Sequence, residues 1–313
     1  MTKTFHKLIF FFLVILWANY SFAQKTLIYS DPYKSYKTAQ ELFDKEKYSS
    51  AQYYFKEVIN KFDNPQDEIR INAEYYFAVC ALKLYHRNVE TILTRFALDH
   101  PDHPKSKNIY FQLGKHYYQT KKFKKSIEFF EKVDQYDLSK SDQNEYLFKL
   151  GYSKFMKKNL DESKVLFNEL LQRQTDYEVP TTYYYSHIAY AERKYQTALE
   201  GFRKISSNKM FKPIIPYYIT QILYQQNKYD ELISYAPSYM DSITEKRKGE
   251  FAKLIADSYF MKKNFKTSLN YYKTFKKFAK SSRESNYQVA FCYYKTKDLR
   301  KAIELFSRVA YKE

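Results

Sequence analysis

The stretch LGKHYYQTKKFKKSIEFFEKV, residues 113–133, recurs along the chain and decides its fold. Three further stretches align with it without a gap: LGYSKFMKKNLDESKVLFNEL (150–170), IADSYFMKKNFKTSLNYYKTF (255–275) and VAFCYYKTKDLRKAIELFSRV (289–309). Further copies occupy residues 38–58 and 185–205, and a weaker one occupies residues 219–239. In most copies a small residue precedes a Lys-rich turn, and a second small residue is followed four positions later by an aromatic one. Such self-similarity indicates a repeat architecture.

The second small residue of each copy gives the period of the repeat. It is Ala51, Ser126, Ser163, Ala198, Leu232, Ser268 and Ala302. From Ser126 onward the intervals are 37, 35, 34, 36 and 34 residues. A period near 34, with only 4 Gly and 8 Pro in 313 residues, favours helix pairs joined by short turns. The chain resembles the tetratricopeptide-repeat family, which implies an all-α, right-handed α-solenoid of about eight helix-turn-helix repeats over residues 32–313.

The repeats are predicted to start near residues 32, 71, 107, 144, 179, 213, 249 and 283. In the degenerate second copy, a two-residue insertion in the turn places Ile92 and Phe96 at the two marker positions. In the sixth, Pro237 falls inside the second helix, where proline removes a hydrogen bond. Because the sequence stops at Glu313, after the second helix of repeat eight, we expect further repeats beyond it or another chain covering that end.

The resemblance also assigns packing roles in the family's 34-position frame. Position 8 is expected to be small so that the two helices of a repeat can approach, and position 24 is expected to be aromatic. Position 8 is Ala39, Ala78, Gly114, Gly151, Ser186, Thr220, Ala256 and Ala290. Position 24 is Phe55, Phe130, Phe167, Phe202, Tyr272 and Phe306. Cys80 and Cys292 lie six repeats apart, which at roughly 10 Å per helix layer excludes a disulfide.

In this family the first helices line a concave groove, and positions 2, 5, 9, 12 and 13 tend to face it. Positions 5 and 12 are aromatic in most repeats, so the resemblance implies a double aromatic ladder along the groove. The predicted partner-binding residues are Tyr36, Phe111, Tyr118, Phe148, Phe155, Tyr183, Tyr190, Tyr217, Tyr224, Tyr287 and Tyr294. Aromatic residues dominate binding hot spots, so the ladder is predicted to bind a protein or peptide. The alternative is that the rings pack on the first helix of the next repeat.

Lysines occupy the turn between the two helices of nearly every copy. The predicted basic rim consists of Lys121, Lys122, Lys157, Lys158, Lys262 and Lys263. With a net charge of +18, the rim and the ladder also suit an anionic envelope polymer (peptidoglycan, polysaccharide or lipopolysaccharide) or a membrane surface. The alternative is that these cations offset the helix dipole and keep the turns solvated.

The first 23 residues have the parts of a secretory signal peptide. Lys3 and Lys7 precede the apolar run 8–17, and a small-x-small motif ends at Ala23. Ten apolar residues are half of the roughly 20 that a membrane span needs. We therefore expect cleavage after Ala23, a short leader at 24–31, and a periplasmic or outer-membrane-associated protein. Export argues against nucleic acid as a partner, although the charge permits it.

Signals for catalysis and metal binding are weak. DHPDHP at residues 99–104 brings two histidines and two aspartates into one segment, which we interpret as a connection between repeats rather than a zinc site. The sequence contains no glycine-rich phosphate loop, nucleophile elbow or HExxH motif. We expect no enzyme, no metal and no cofactor. The sequence instead predicts an envelope scaffold that binds a partner protein or peptide.

Overall fold

The computed structural model describes residues 31–310, so the predicted signal peptide and nearly all of the leader lie outside the described residues. Within that range lie sixteen α-helices and no strand. The helices are α1 (Pro32–Asp44), α2 (Tyr48–Lys61), α3 (Glu68–Lys83), α4 (Val89–Asp99), α5 (Pro104–Gln119), α6 (Phe123–Phe130), α7 (Lys140–Met156), α8 (Leu160–Leu171), α9 (Glu178–Ala191), α10 (Tyr195–Lys204), α11 (Ile215–Gln225), α12 (Tyr229–Tyr235), α13 (Glu245–Met261), α14 (Phe265–Phe278), α15 (Arg283–Lys295) and α16 (Leu299–Ala310). The all-α repeat solenoid is confirmed.

The helices form eight consecutive pairs, and the chain divides into two compact units, Met1–Lys140 and Ser141–Glu313. The described part of the first unit contains three pairs, α1 to α6. The second unit contains five pairs, α7 to α16, with α7 beginning at the boundary. We number the pairs as repeats one to eight and call their members first and second helices.

Each pair turns through one residue in the left-handed backbone region. These residues are Glu46, Tyr85, Lys121, Lys158, Arg193, Asn227, Lys263 and Lys297. In repeat three, Lys121 has a φ of 58°, and the Lys122 amide closes the turn by donating to the Tyr117 carbonyl at 2.8 Å. Glycine usually occupies such a position because it has no Cβ. This chain uses polar or aromatic residues there, which explains how it forms eight turns with so few glycines.

A seam between position 8 and position 24 holds the two helices of a repeat together. A Cβ added to Gly114 would lie 2.5 Å from Cδ1 of Phe130, and one added to Gly151 would lie 2.8 Å from Cε1 of Phe167. Both rings are fully buried. The buried Ser126 hydroxyl donates to the Gly114 carbonyl at 2.9 Å, which satisfies its hydrogen-bonding group. The small residues predicted at position 8 therefore make room for the aromatic ring.

The second repeat carries the inserted residues in its turn. Tyr85 has the left-handed conformation, and α4 begins four residues later at Val89, whereas the other second helices begin two residues after theirs. Phe96 is buried, as the insertion predicts. Ile92 is only half-buried, and its neighbour Leu93 is the fully buried residue instead. The helix is thus rotated slightly from the orientation that the repeat frame implies.

The sixth repeat is interrupted where its proline predicts. The α-helix α12 ends at Tyr235, and the chain continues as a 3-10 segment, Ala236–Tyr239, that contains Pro237. Leu232 and Ala236 are fully buried at the two marker positions. A small side chain therefore stands where the regular repeats have a ring.

Candidate partner-binding face

The predicted partner-binding residues occupy different environments. Phe111, Phe148, Tyr183 and Tyr217 are buried. Five others are half-buried: Tyr36, Tyr118, Phe155, Tyr190 and Tyr224. Tyr287 and Tyr294 are 49% and 51% exposed. The four buried rings offer little surface to a partner, which favours the alternative at these positions, that the rings are packed.

Position 5 is part of the core of its own repeat. Its ring meets the position 24 ring in five repeats, with ring centres 5.5 to 6.2 Å apart: Tyr36 with Phe55, Phe111 with Phe130, Phe148 with Phe167, Tyr183 with Phe202 and Tyr287 with Phe306. Offset and edge contacts at this separation stabilise aromatic pairs. Position 5 therefore supports the seam rather than lining an open ladder.

Two of the position 12 rings, those of Phe155 and Tyr190, pack on the following repeat, which is the alternative to an exposed ladder. Phe155 lies 5.1 Å from Tyr184, and Tyr190 lies 5.6 Å from Tyr218, measured between ring centres. The rings on which they pack, Tyr184 and Tyr218, occupy position 6, and the sequence did not predict this role for them. Tyr184 and Tyr218 also stack nearly flat on the position 24 ring of the preceding repeat, at 6.1 Å from Phe167 and 5.3 Å from Phe202 respectively. Position 6 is tyrosine in three of the eight repeats, at Tyr76, Tyr184 and Tyr218, which is too few to give a periodic signal.

Repeat six replaces the missing position 24 ring with a charged contact. The Arg247 guanidinium lies 4.5 Å from the ring centre of Tyr217 and 4.8 Å from that of Tyr218. Arg247 Nη2 also donates to the Tyr218 hydroxyl at 3.1 Å. Cation–π contacts of partly desolvated arginines are among the stronger polar contacts in proteins. Arg247 precedes the frame of repeat seven, so the repeat pattern assigned it no role.

A row of hydrogen bonds joins the first helices of repeats five, six and seven. The Tyr190 hydroxyl donates to Gln221 Oε1 at 3.0 Å, and Gln221 Nε2 donates to the Tyr217 hydroxyl at 2.8 Å. The Tyr217 hydroxyl in turn donates to Glu250 Oε2. These four residues, which we call the first-helix row, stand at positions 12, 9, 5 and 2, all among the positions that face the groove in the family. The row thus marks the groove-facing side of α9, α11 and α13.

Burial keeps the titratable rings in and beside the row uncharged. Burial, followed by the bond to Glu250, raises the pKa of Tyr217, and burial raises that of Tyr190. Burial and the nearby Arg247 charge lower the pKa of His187, whose Nε2 lies 3.1 Å from the Tyr218 hydroxyl. At neutral pH the phenols and this imidazole are therefore uncharged. The exposed Glu250 carboxylate and the half-buried Arg247 supply the charge of this face.

The six predicted rim lysines are exposed, and they lie in the turns of repeats three, four and seven. Lys121, Lys158 and Lys263 hold the left-handed position of their turns. Lys262 forms an ion pair at 2.9 Å with Asp230, at the start of α12 in the preceding repeat. The lysines are thus exposed to solvent, and Lys262 also contacts the neighbouring repeat.

The segment with two histidines packs against α3. His100 Nε2 lies 2.7 Å from a carboxylate oxygen of Glu74, and His103 Nε2 lies 3.5 Å from one of Glu68. The His103 Nδ1 accepts from the Lys105 amide at 3.2 Å and caps α5. Across residues 31–310 no three metal-ligating side chains gather into one group. In the same part of the chain, every helix is too short or too polar to cross a membrane.

Comparison with known proteins gives one family and several similar structures. The tetratricopeptide-repeat model matches residues 145–176 and 284–312, in repeats four and eight. No curated protein sequence matches the chain. The solved structure of a signal-transduction ATPase from Pyrococcus horikoshii with a tetratricopeptide-repeat sensor is similar at 13% identity and a TM-score of 0.51, covering 84% of this chain and 44% of that one.

Two bacterial structures are similar over most of their own length. A tetratricopeptide-repeat protein from Parabacteroides merdae has 11% identity and a TM-score of 0.46, covering 83% of this chain and 99% of that one. The pilF protein from Pseudomonas aeruginosa has 14% identity and a TM-score of 0.48, covering 65% and 90% respectively.

Proteins built from tetratricopeptide repeats generally bind other proteins and generally act as scaffolds without catalysis. Here the helix pairs, the small residue at position 8, the ring at position 24 and the two matched segments agree with one another. Repeats four and eight match the tetratricopeptide-repeat family, and the described part of the chain has the all-α repeat fold seen in structures with tetratricopeptide repeats.

Proposed function

We propose that this chain is a non-enzymatic scaffold that binds a segment of a partner protein across the first helices of repeats five to seven. The first-helix row carries the proposal. Its side chains cross three helices at groove-facing positions, and they range from buried Tyr217 to exposed Glu250. Amide and hydroxyl groups above an aromatic floor are the composition of surfaces that fix the orientation of a bound segment.

The chemistry of the row suits a polypeptide. The Gln221 amide and the Tyr190 hydroxyl combine donors and acceptors, so they can pair with the backbone of an extended segment. The exposed Glu250 carboxylate suits a basic side chain of the partner. We therefore propose a ligand segment with a free backbone edge and at least one lysine or arginine.

The proposed setting is the cell envelope. It is supported by the secretory pattern of residues 1–23, which favours a periplasmic or outer-membrane-associated protein. A second candidate function is binding of an envelope polymer (peptidoglycan, polysaccharide or lipopolysaccharide). The exposed rings of Tyr287 and Tyr294 and the exposed turn lysines favour it. Co-sedimentation with purified polymer tests this candidate, and its loss at high salt would assign the contact to the lysines.

The test of the row compares two matched pairs of side chains. Gln221→Ala with Glu250→Gln removes the middle and the end of the row without replacing a buried ring, although both changes alter hydrogen bonds of the Tyr217 hydroxyl. Gln196→Ala with Glu200→Gln makes the same changes in α10, a second helix, where Gln196 Nε2 donates to Glu200 Oε1 at 2.8 Å. Replacing Tyr183 or Tyr217 by Ala is less informative because both rings are buried.

Both variants and the parent protein are used to capture and quantify an envelope partner by crosslinking in extract. We expect the row variant to retain less than about a tenth of the captured partner, as for the loss of a binding hot spot. The α10 variant should capture as much as the parent. Equal capture by all three proteins, with unchanged circular dichroism, would contradict the proposed site.

A further inference from the structure

A cleft separate from the first-helix row lies between the second helices of repeats seven and eight. Lys273 and Lys276 project from α14, and Lys301 projects from α16. Val289 and Tyr293 of α15 form its floor, and the cleft has a volume of about 250 Å³. The cleft therefore combines cationic walls with an apolar and aromatic floor.

The walls carry more positive charge than their own carboxylates balance. The helix α14 has four lysines and no acidic residue. The acidic residue that lines the cleft, Glu304, is already paired with Arg308 at 2.6 Å, and Lys301 is paired with Asp298 outside the lining at 2.9 Å. Within the described part of the chain, no carboxylate is paired with Lys273 or Lys276. An anion entering the cleft would meet ammonium groups that lack a counter-charge.

The pKa of Lys276 reflects its surroundings in the cleft. The Lys276 side chain is exposed as a whole, but partial burial of its ammonium group, followed by repulsion from Arg308, lowers the pKa of that group. Both causes disfavour the charged form of the lysine, and a bound anion would favour it. The local electrostatics thus favour a ligand of opposite charge, in agreement with the geometry of the cleft.

We propose that this cleft binds a phosphoryl group of a phosphate ester or lipid head group. Lysine binds phosphate as a point charge, and the two unpaired ammonium groups of Lys273 and Lys276, with the paired Lys301 on the facing helix, suit an anion with several oxygens. A planar carboxylate is better matched by the fork of an arginine. The Val289 and Tyr293 floor contacts the carbon part of the ligand.

The test uses Lys273→Gln with Lys276→Gln, and a control of equal charge, Lys266→Gln with Lys277→Gln, on the same helix but outside the cleft. All four lysines are exposed, so both variants are expected to fold. One arm measures inorganic phosphate by calorimetry at constant ionic strength. The other measures binding to phosphatidylcholine vesicles with and without phosphatidylglycerol.

In at least one of the two measurements, phosphate or vesicles, we expect the cleft variant to bind about tenfold more weakly than the parent. The affinity of the control variant should differ from that of the parent by less than about twofold. Cleft-dependent binding of inorganic phosphate assigns a soluble phosphate ester, and cleft-dependent binding of vesicles alone assigns a lipid head group. Equal weakening in the two variants would show general charge attraction and overturn the proposal. Absence of binding in both arms would overturn it as well.

Discussion

Repeats three and six share one frame but fill it differently. In repeat three, the fully buried Phe130 ring contacts Gly114 and the Phe111 ring. In repeat six, Ala236 occupies the position of that ring, and Arg247 from the next first helix covers Tyr217. A charged side chain thus packs against the core in the repeat that lacks the position 24 ring. Departures from a local rule often mark functional sites.

The largest expected loss of stability comes from removing the position 24 ring of repeat three, as in repeat six. Phe130→Ala removes a fully buried ring from the seam and should lower the free energy of unfolding by about 3–5 kcal/mol. Phe306→Ala makes the same change at the same frame position of repeat eight, where the ring is half-buried, so its effect should be smaller. Urea unfolding followed by circular dichroism measures both. Equal losses would show that the frame position, rather than burial, sets the energy.

A smaller effect is expected from removing the charged replacement in repeat six. Arg247→Met removes the contacts with two tyrosine rings and the hydrogen bond to the Tyr218 hydroxyl. It should lower the free energy of unfolding by about 1–2 kcal/mol. Lys246→Met at the adjacent exposed position is the control and should stay within about 0.5 kcal/mol of the parent. A stable Arg247→Met protein would mean that Met fills the gap as well as the guanidinium does.

The smallest expected effect is a pH dependence at His187. Its pKa lies below the ordinary value of 6.5 because of burial and Arg247, so the unfolded chain binds this proton more readily. The stabilisation is fully present above pH 6.5 and is lost as the pH falls below that value. His187→Gln should weaken the fall in melting temperature on acidification. If parent and variant respond identically between about pH 7.5 and 5.5, the imidazole is not held neutral by this site.

The sequence predicts the seam well because its contacts lie within one repeat. Gly114 and Phe130 were assigned from the frame of the family that the sequence resembles, and the two contact each other as that frame implies. The interruption at Pro237 was also predictable, because proline acts on the local backbone. Residues that obey a periodic rule within two helices are accessible to sequence analysis.

The face of the first helices was predicted less well because it depends on neighbouring repeats. Whether Tyr217 or Tyr287 is exposed depends on the helix that follows, and the two differ although they share position 5. Arg247 belongs to no repeat position, and position 6 tyrosines such as Tyr218 occur in too few copies to form a pattern. Contacts between repeats require the geometry of the assembled helices.

Hydrogen exchange of the protein with and without its captured envelope partner tests whether the partner binds at the first-helix row. We expect partner-dependent protection in peptides from α9, α11 and α13, which carry the first-helix row, and little change in α10, α12 and α14. Protection should disappear in the Gln221→Ala, Glu250→Gln variant. Protection confined to the second helices, or unaffected by that variant, would contradict the assignment of the row as the partner-binding face.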